Sequence, residues 1–145
     1  MSYLAKGLPQ PAPSPDGLDA PFWEGLQGEE LRIQRCASCG AWQWGPEWIC
    51  HACHSDAMGY ETVAATGVIY SYERVWHPVH PALKDQGPYV IVLVELDDCG
   101  VRIVGNLLGD PHQAVEIGAP VRGVFEHHTE AETPYTLLQW ETIDG

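Results

Sequence analysis

Four of the five cysteines in this chain stand as two pairs, Cys36-Ala-Ser-Cys39 and Cys50-His-Ala-Cys53, with ten residues between the pairs. Each Cys-x-x-Cys turn bends the backbone until both thiolates face one side. Two such turns supply the four soft ligands that structural zinc takes at about 2.3 Å. Gly40, directly after the first pair, suits such a turn, and paired motifs of this spacing are among the more specific short metal signals. Cys36, Cys39, Cys50 and Cys53 are therefore expected to hold a structural metal in a zinc ribbon, ahead of the alternative of disulfides or free thiols. His51 and His54 flank the second pair, but four thiolates close the site and leave no position for them. Iron in a rubredoxin-like cage would use the same ligands, and the sequence leaves that choice open.

The other residues with chemical potential are fewer and less well placed. Trp76-His-Pro-Val-His-Pro81, continuing to Asp85, offers His77 and His80 as groups that titrate near neutral pH. Neither has a nucleophile or an acidic orienter fixed beside it by spacing, so a proline-stiffened surface loop is the favoured reading. Cys99 lies in Asp97-Asp-Cys-Gly100, a hairpin turn that provides neither burial nor a base, and is read as noncatalytic. His127-His128 with Glu130 reads as a polar turn and not as a metal site.

The elements that must position these residues follow from pattern. Residues 1–18, with proline at positions 9, 11, 13 and 15, read as a flexible arm that resists helix and strand. Residues 19–58 read as a short helix and the ribbon: Asp19 as cap, Pro21 in the first turn, Phe22, Trp23 and Leu26 as an apolar face, Gly28 as stop, and Leu31 to Arg35 as a strand into the first knuckle. Trp42, Trp44, Trp48 and Ile49 load the ribbon with apolar surface that either shields the thiolates or meets a partner. Residues 59–145 read as strands: Tyr60 to Val63, Gly67 to Val75 with Val68, Tyr70 and Tyr72 on one side, Tyr89 to Leu96, Val101 to Val104, Pro120 to His127 and Tyr135 to Ile143. An irregular or one-turn helical stretch is expected near Pro111 to Val115. The whole is expected to be mainly β, an N-terminal helix and rubredoxin-like ribbon followed by a five-stranded OB-fold barrel.

Charge limits the function. Seven Lys plus Arg stand against twenty Asp plus Glu, a formal net charge of −13. Nucleic-acid binding draws most of its affinity from phosphate neutralisation by a basic stripe, and this chain has none. No apolar run is long enough to span a bilayer and no charged-then-apolar leader opens the chain, so a cytoplasmic protein without membrane contact is expected.

With helix, ribbon and barrel in this order, the chain resembles the domain-of-unknown-function 35 family, a rubredoxin-like zinc ribbon fused to an acyl-CoA-associated OB-fold. The resemblance rests on Pro21-Phe22-Trp23-Glu24-Gly25-Leu26, the two cysteine pairs with Gly40 and Pro46, Gly67-Val-Ile-Tyr-Ser-Tyr72, Pro88-Tyr89-Val-Ile-Val and Ile117-Gly118-Ala-Pro-Val121. It implies a noncatalytic accessory subunit in a hetero-oligomer, in which a thiolase-like partner performs thiolytic, condensing or retro-aldol chemistry on an acyl-CoA. The zinc-ribbon subunit of benzoylsuccinyl-CoA thiolase is similar in layout. On that implication zinc is structural, a CoA thioester is the ligand of the complex, and Arg74, Trp76, His77, His80 and Lys84 are the residues expected to face CoA or the partner. A nucleic-acid-binding ribbon/OB protein and a rubredoxin-like electron carrier are the alternatives.

Overall fold

The computed structural model describes residues 17–143; the proline arm, Lys6 included, lies outside them up to residue 16. The first element is helix α1 (Ala20–Gln27), with Pro21 in its first turn and Gly28 at its end donating to the Gly25 carbonyl. Asp19 stands at the N-cap, but its carboxylate accepts from the Trp23 indole N–H at 2.7 Å and does not cap the backbone. The aromatic donor one turn ahead wins the carboxylate. Phe22 and Leu26 are buried and Trp23 is half-buried. At about 1.5–3 kcal/mol for each fully buried side chain of this size, they account for most of the hold of so short a helix.

Three strands form the ribbon sheet in the order β2-β1-β3: β1 (Leu31–Cys36), β2 (Trp42–Gln43) and β3 (Met58–Val63). β3 lies antiparallel to β1 from Leu31↔Val63 to Cys36↔Met58. Tyr60 to Val63, which the sequence grouped with the barrel, thus completes the ribbon sheet.

Five strands close the barrel in the order β4-β5-β6-β8-β7: β4 (Thr66–Val75), β5 (Tyr89–Leu96), β6 (Arg102–Leu107), β7 (Pro120–His128) and β8 (Tyr135–Thr142). β5 supplies the centre, with Val90, Val92, Val94 and Leu96 buried at every second position. The β5–β6 hairpin turns through Asp97 to Gly100 as expected, with Gly100 at φ +67 and donating to the Leu96 carbonyl. β4 departs from the expected alternation. Ile69 is the core residue, while Tyr70 and Tyr72 are exposed. A bulge at Tyr70 lets Ile69 face Val94 and Ser71 face Leu93, and the extra residue brings Arg74 opposite buried Val90.

The stretch near Pro111 to Val115, expected to be irregular or one helical turn, is irregular chain. It crosses beside β4, where Ile69 and Gly118 donate to Ala119 and Ile69 at 3.0 and 2.7 Å. Among the described residues a 3-10 turn lies at Pro81–Leu83, and α1 packs against β7 and β8. The barrel closes where parallel β6 and β8 meet at Leu107↔Trp140. Trp140 is fully buried, and its indole fits because residue 105 is glycine: a Cβ there would lie 2.7 Å from Trp140 Cδ1. No helix among the described residues is long and apolar enough to cross a membrane.

Glycine also sets the β4–β5 spacing. A Cβ on Gly67 would stand 2.2 Å from the Glu95 carbonyl oxygen, a backbone atom that cannot swing aside. Gly67→Ala is expected to destabilise the metal-loaded protein by about 1–3 kcal/mol. Gly59→Ala, whose Cβ would meet nothing closer than 3.9 Å, should stay within about 0.5 kcal/mol of the parent. Urea unfolding of both variants checks the pair.

Candidate functional site

The two knuckles are conformational copies of each other. In the first, the Gly40 N–H donates to the Cys36 carbonyl at 2.9 Å and Gly40 takes φ +77; in the second, the His54 N–H donates to the Cys50 carbonyl at 2.9 Å and His54 takes φ 61. Each turn therefore ends on a residue in the left-handed region, glycine in one and histidine in the other. The four sulfurs lie within 4.8 Å of one another, with Cys36–Cys53 and Cys39–Cys50 at 3.6 Å. Zinc bonded to four thiolates at about 2.3 Å in a tetrahedron places its ligands about 3.8 Å apart. The donor set fits zinc in number, softness and spacing.

The electrostatics of the four thiols point the same way. The Cys39 backbone N–H, aided by that of Ser38 and opposed by burial, draws the Cys36 thiol down to about 6. Cys50 is lowered by the Cys53 and Ala52 N–H groups. Cys53 accepts from the Ser55 N–H, yet burial and the three neighbouring sulfurs push it up to about 12. Backbone donors thus prepare part of the cage for negative charge, and the sulfurs resist becoming anionic together. A dication among them removes that conflict, because metal ligation requires and stabilises the thiolate form. His51 is engaged elsewhere, its Nδ1 2.6 Å from Gln43 Oε1.

Two buried glutamines secure the chain between the knuckles. Gln34 donates to the Glu47 carbonyl at 2.8 Å and accepts from the Glu47 N–H at 3.0 Å. Gln43 donates to the Ile49 carbonyl at 3.2 Å and accepts from the His51 N–H at 2.9 Å. Each primary amide acts as a strand would, satisfying one donor and one acceptor. Trp44 anchors the same segment by packing on Phe22, ring centroids 4.5 Å apart. The four apolar residues of this region therefore divide. Trp42 lies under the Arg35 guanidinium at 4.6 Å and Trp44 joins the core, whereas Trp48 and Ile49 are exposed.

At the C-terminal end of β4 the structure gathers part of the expected ligand-facing set. Arg74 donates through Nη2 to the Gln113 carbonyl, and its buried Nε has no hydrogen-bond partner among the described residues. The Trp76 ring lies 5.5 Å from that of His112, on the same crossing segment. His77, His80 and Lys84 are exposed on the β4–β5 loop, and no carboxylate or nucleophile is hydrogen-bonded to His77 among the described residues. Of the described arginines, Arg32, Arg35, Arg102 and Arg122 each pair with a carboxylate at 2.6 to 3.0 Å. Arg74 has no carboxylate partner among the described residues, and neither does Lys84. Cys99 is half-buried, and burial raises its thiol above the ordinary range, which opposes a nucleophilic role.

Sequence reasoning missed three features. The first is the glutamine clamps, hidden because glutamine seldom signals burial. The second is a buried pair on β7: His128 Nε2 lies 2.8 Å from Glu126 Oε1, with side chains 5% and 2% exposed. His128 stacks on Tyr135 at 4.7 Å, and burial together with the Glu126 charge raises the Tyr135 phenol. The expected polar turn at His127-His128 is thus strand, because β7 continues to His128 opposite Tyr135. The third is a groove of about 440 Å³ between α1, Trp44 and the β6 and β8 strands, with Val104 and Leu137 on its wall.

Comparison with known proteins assigns both halves. Residues 23–59 match the family model described as ChsH2, rubredoxin-like zinc ribbon domain, and residues 60–126 match ChsH2, C-terminal OB-fold domain. A protein of Thermomonospora curvata described as "Probable enoyl-CoA hydratase alpha subunit" is 41% identical over 114 residues, covering 78% of this chain and 34% of that one. The chain thus spans about a third of that relative's length. A "DUF35 domain-containing scaffold protein" of Methanocaldococcus jannaschii is 34% identical over 100 residues, covering 66% of this chain and 67% of that one. A solved chain of "Ltp2-ChsH2(DUF35) aldolase" superposes with a TM-score of 0.74 at 37% identity, over 92% of this chain and 98% of the other. The ribbon, the barrel and their order are those of these proteins: the chain belongs to the DUF35 family, in its ChsH2-type form of zinc ribbon and OB-fold.

Proposed function

We propose that this chain is a noncatalytic, zinc-stabilised subunit of a hetero-oligomeric acyl-CoA-processing complex, and that its β4–β5 loop completes the CoA or acyl channel of a partner enzyme. The observation that carries the reading is Arg74. A half-buried guanidinium with an orphan Nε and, among the described residues, no carboxylate partner is costly to keep in the free chain. It is the group that a phosphate or another acidic ligand would satisfy. Trp76 beside it offers an aromatic face, Lys84 a second unpaired cation, and His77 and His80 polar contacts along the same loop. CoA carries several negative charges and the chain carries −13, so most phosphate neutralisation falls to the partner and binding depends on the complex.

Relatives support the class. One is described as a hydratase alpha subunit and another as a scaffold, and a third is solved as part of an Ltp2 aldolase. A thiolase-like partner that cleaves or forms a carbon–carbon bond agrees with the aldolase relative, and a hydratase partner is the second reading, favoured by the Thermomonospora curvata protein. In either case zinc is structural, since four thiolates leave no open coordination position for substrate.

Two outcomes are expected. Purified protein should contain about one zinc per chain. Cys50→Ala should lose the metal and unfold the ribbon, while Cys99→Ala should do neither. Elemental analysis with circular dichroism decides this, and iron in the cage would transfer the chain to the electron carriers. The isolated chain should turn over no acyl-CoA and bind it weakly. In complex with the enzyme subunit that co-purifies with it, Arg74→Gln should lower CoA affinity about 10- to 100-fold, the cost of a charge-assisted hydrogen bond, with zinc retained. Calorimetric titration of the chain and of the complex provides the test, and micromolar binding by the chain alone would place the ligand site within it.

A further inference from the structure

The segment from Trp44 to His51 spends four hydrogen bonds and two buried amides on presenting two apolar side chains to solvent. Trp48 is 73% exposed and Ile49 54% exposed. The Trp48 ring makes no aromatic or cation–π contact among the described residues, unlike Trp42 and Trp44. Meanwhile Gln34 fixes the backbone of Glu47 and Gln43 fixes that of Ile49 and His51, so the chain on both sides of Trp48 is held. A loop left exposed for want of core would have no such clamps. Held backbone beneath exposed tryptophan is the arrangement that lowers the ordering cost of binding and leaves aromatic area free for a partner.

We infer that Trp48 and Ile49 form a preorganised docking knob, clamped by Gln34 and Gln43, that inserts into an apolar pocket with a basic rim on the partner protein. The charge of the rim follows from complementarity: Glu47 is exposed beside the knob, and the whole chain is strongly acidic. The same charge opposes an anionic lipid surface. The inference rests on the proposed subunit role and adds to it the site and chemistry of the contact.

The test uses the full chain and the subunit that co-purifies with it. A photoreactive benzoylphenylalanine at position 48 should cross-link to that subunit, and the same residue at Glu132, an exposed position in the β7–β8 turn outside both proposed contact surfaces, serves as the comparison. Trp48→Ser and Ile49→Ser should each weaken association at least about 30-fold, as hot-spot residues do, with zinc content unchanged. Gln43→Leu should speed exchange of the His51 amide and weaken association several-fold while Trp48 remains. Raising salt should weaken association. Wild-type affinity in both knob variants overturns the inference and leaves the subunit role standing. Strengthening by salt overturns the basic rim. Partition of the chain into vesicles of anionic phospholipid, lost in Trp48→Ser, overturns it in favour of a membrane. A chain that co-purifies with no protein removes both the knob and the subunit role.

Discussion

Four thiols within 4.8 Å of one another cannot all ionise without a cation among them, and the ribbon is built around that constraint. The knuckles contribute little apolar surface of their own, with Cys36 and Cys50 buried and Cys39 and Cys53 exposed. The ion is what ties the two turns into one body, as in other small units whose core cannot hold them alone. Through β1 the effect reaches further. β1 carries Cys36 at one end and buried Leu31 and Ile33 along its length, in the same core that contains Phe22, Leu26 and the barrel residues. Ordering the cage therefore fixes the strand on which the helix and the glutamine clamps depend.

What could be read from the sequence was what is decided locally. The cysteine spacing, Gly40, the Asp97–Gly100 hairpin and the strand from Tyr89 to Leu96 each rest on a few neighbouring residues, and the structure has them as expected. The misreadings arose where a distant partner decides. The bulge at Tyr70 moves Ile69 inward by giving β4 one more residue than β5, and no local pattern marks it. Asp19 is the local exception, its carboxylate taken from the capping role by the Trp23 indole four residues on. Gln34 and Gln43 are buried because the chain between the knuckles brings them unpaired backbone groups, and His128 because Glu126 and Tyr135 surround it. At the candidate ligand face, residue types picked out Arg74 and Trp76, but the segment they pack on, Gln113 and His112, lies more than thirty residues away in sequence.

Charge organises the surface in the same economical way. Four arginines stand beside carboxylates at exposed or half-exposed positions, where each pair contributes at most about 1 kcal/mol. Their larger effect is to neutralise the few cations of an acidic chain locally, so that no basic patch invites nucleic acid. Arg102 adds a stacking contact, its guanidinium 3.5 Å from the Tyr70 ring centroid. Against this background Arg74 differs by environment and not by residue type: the β4 bulge turns it toward the core side and the crossing segment covers it.

The two surfaces proposed for partners are stiffened by different means. In the β4–β5 loop, Pro78, Pro81 and Pro88 restrict the backbone of the unfolded chain as well as the folded one, so less entropy is lost on ordering. At the knuckle loop the restraint is a set of hydrogen bonds from buried amides, which exist only in the folded ribbon. The distinction has a physical consequence. Proline-restricted chain keeps its bias whether or not the ribbon is formed, whereas the Trp48 segment takes its fixed shape only in the folded ribbon. The proposed docking through the knuckle loop would thereby depend on the folded ribbon, and the proposed contact through the β4–β5 loop on the barrel.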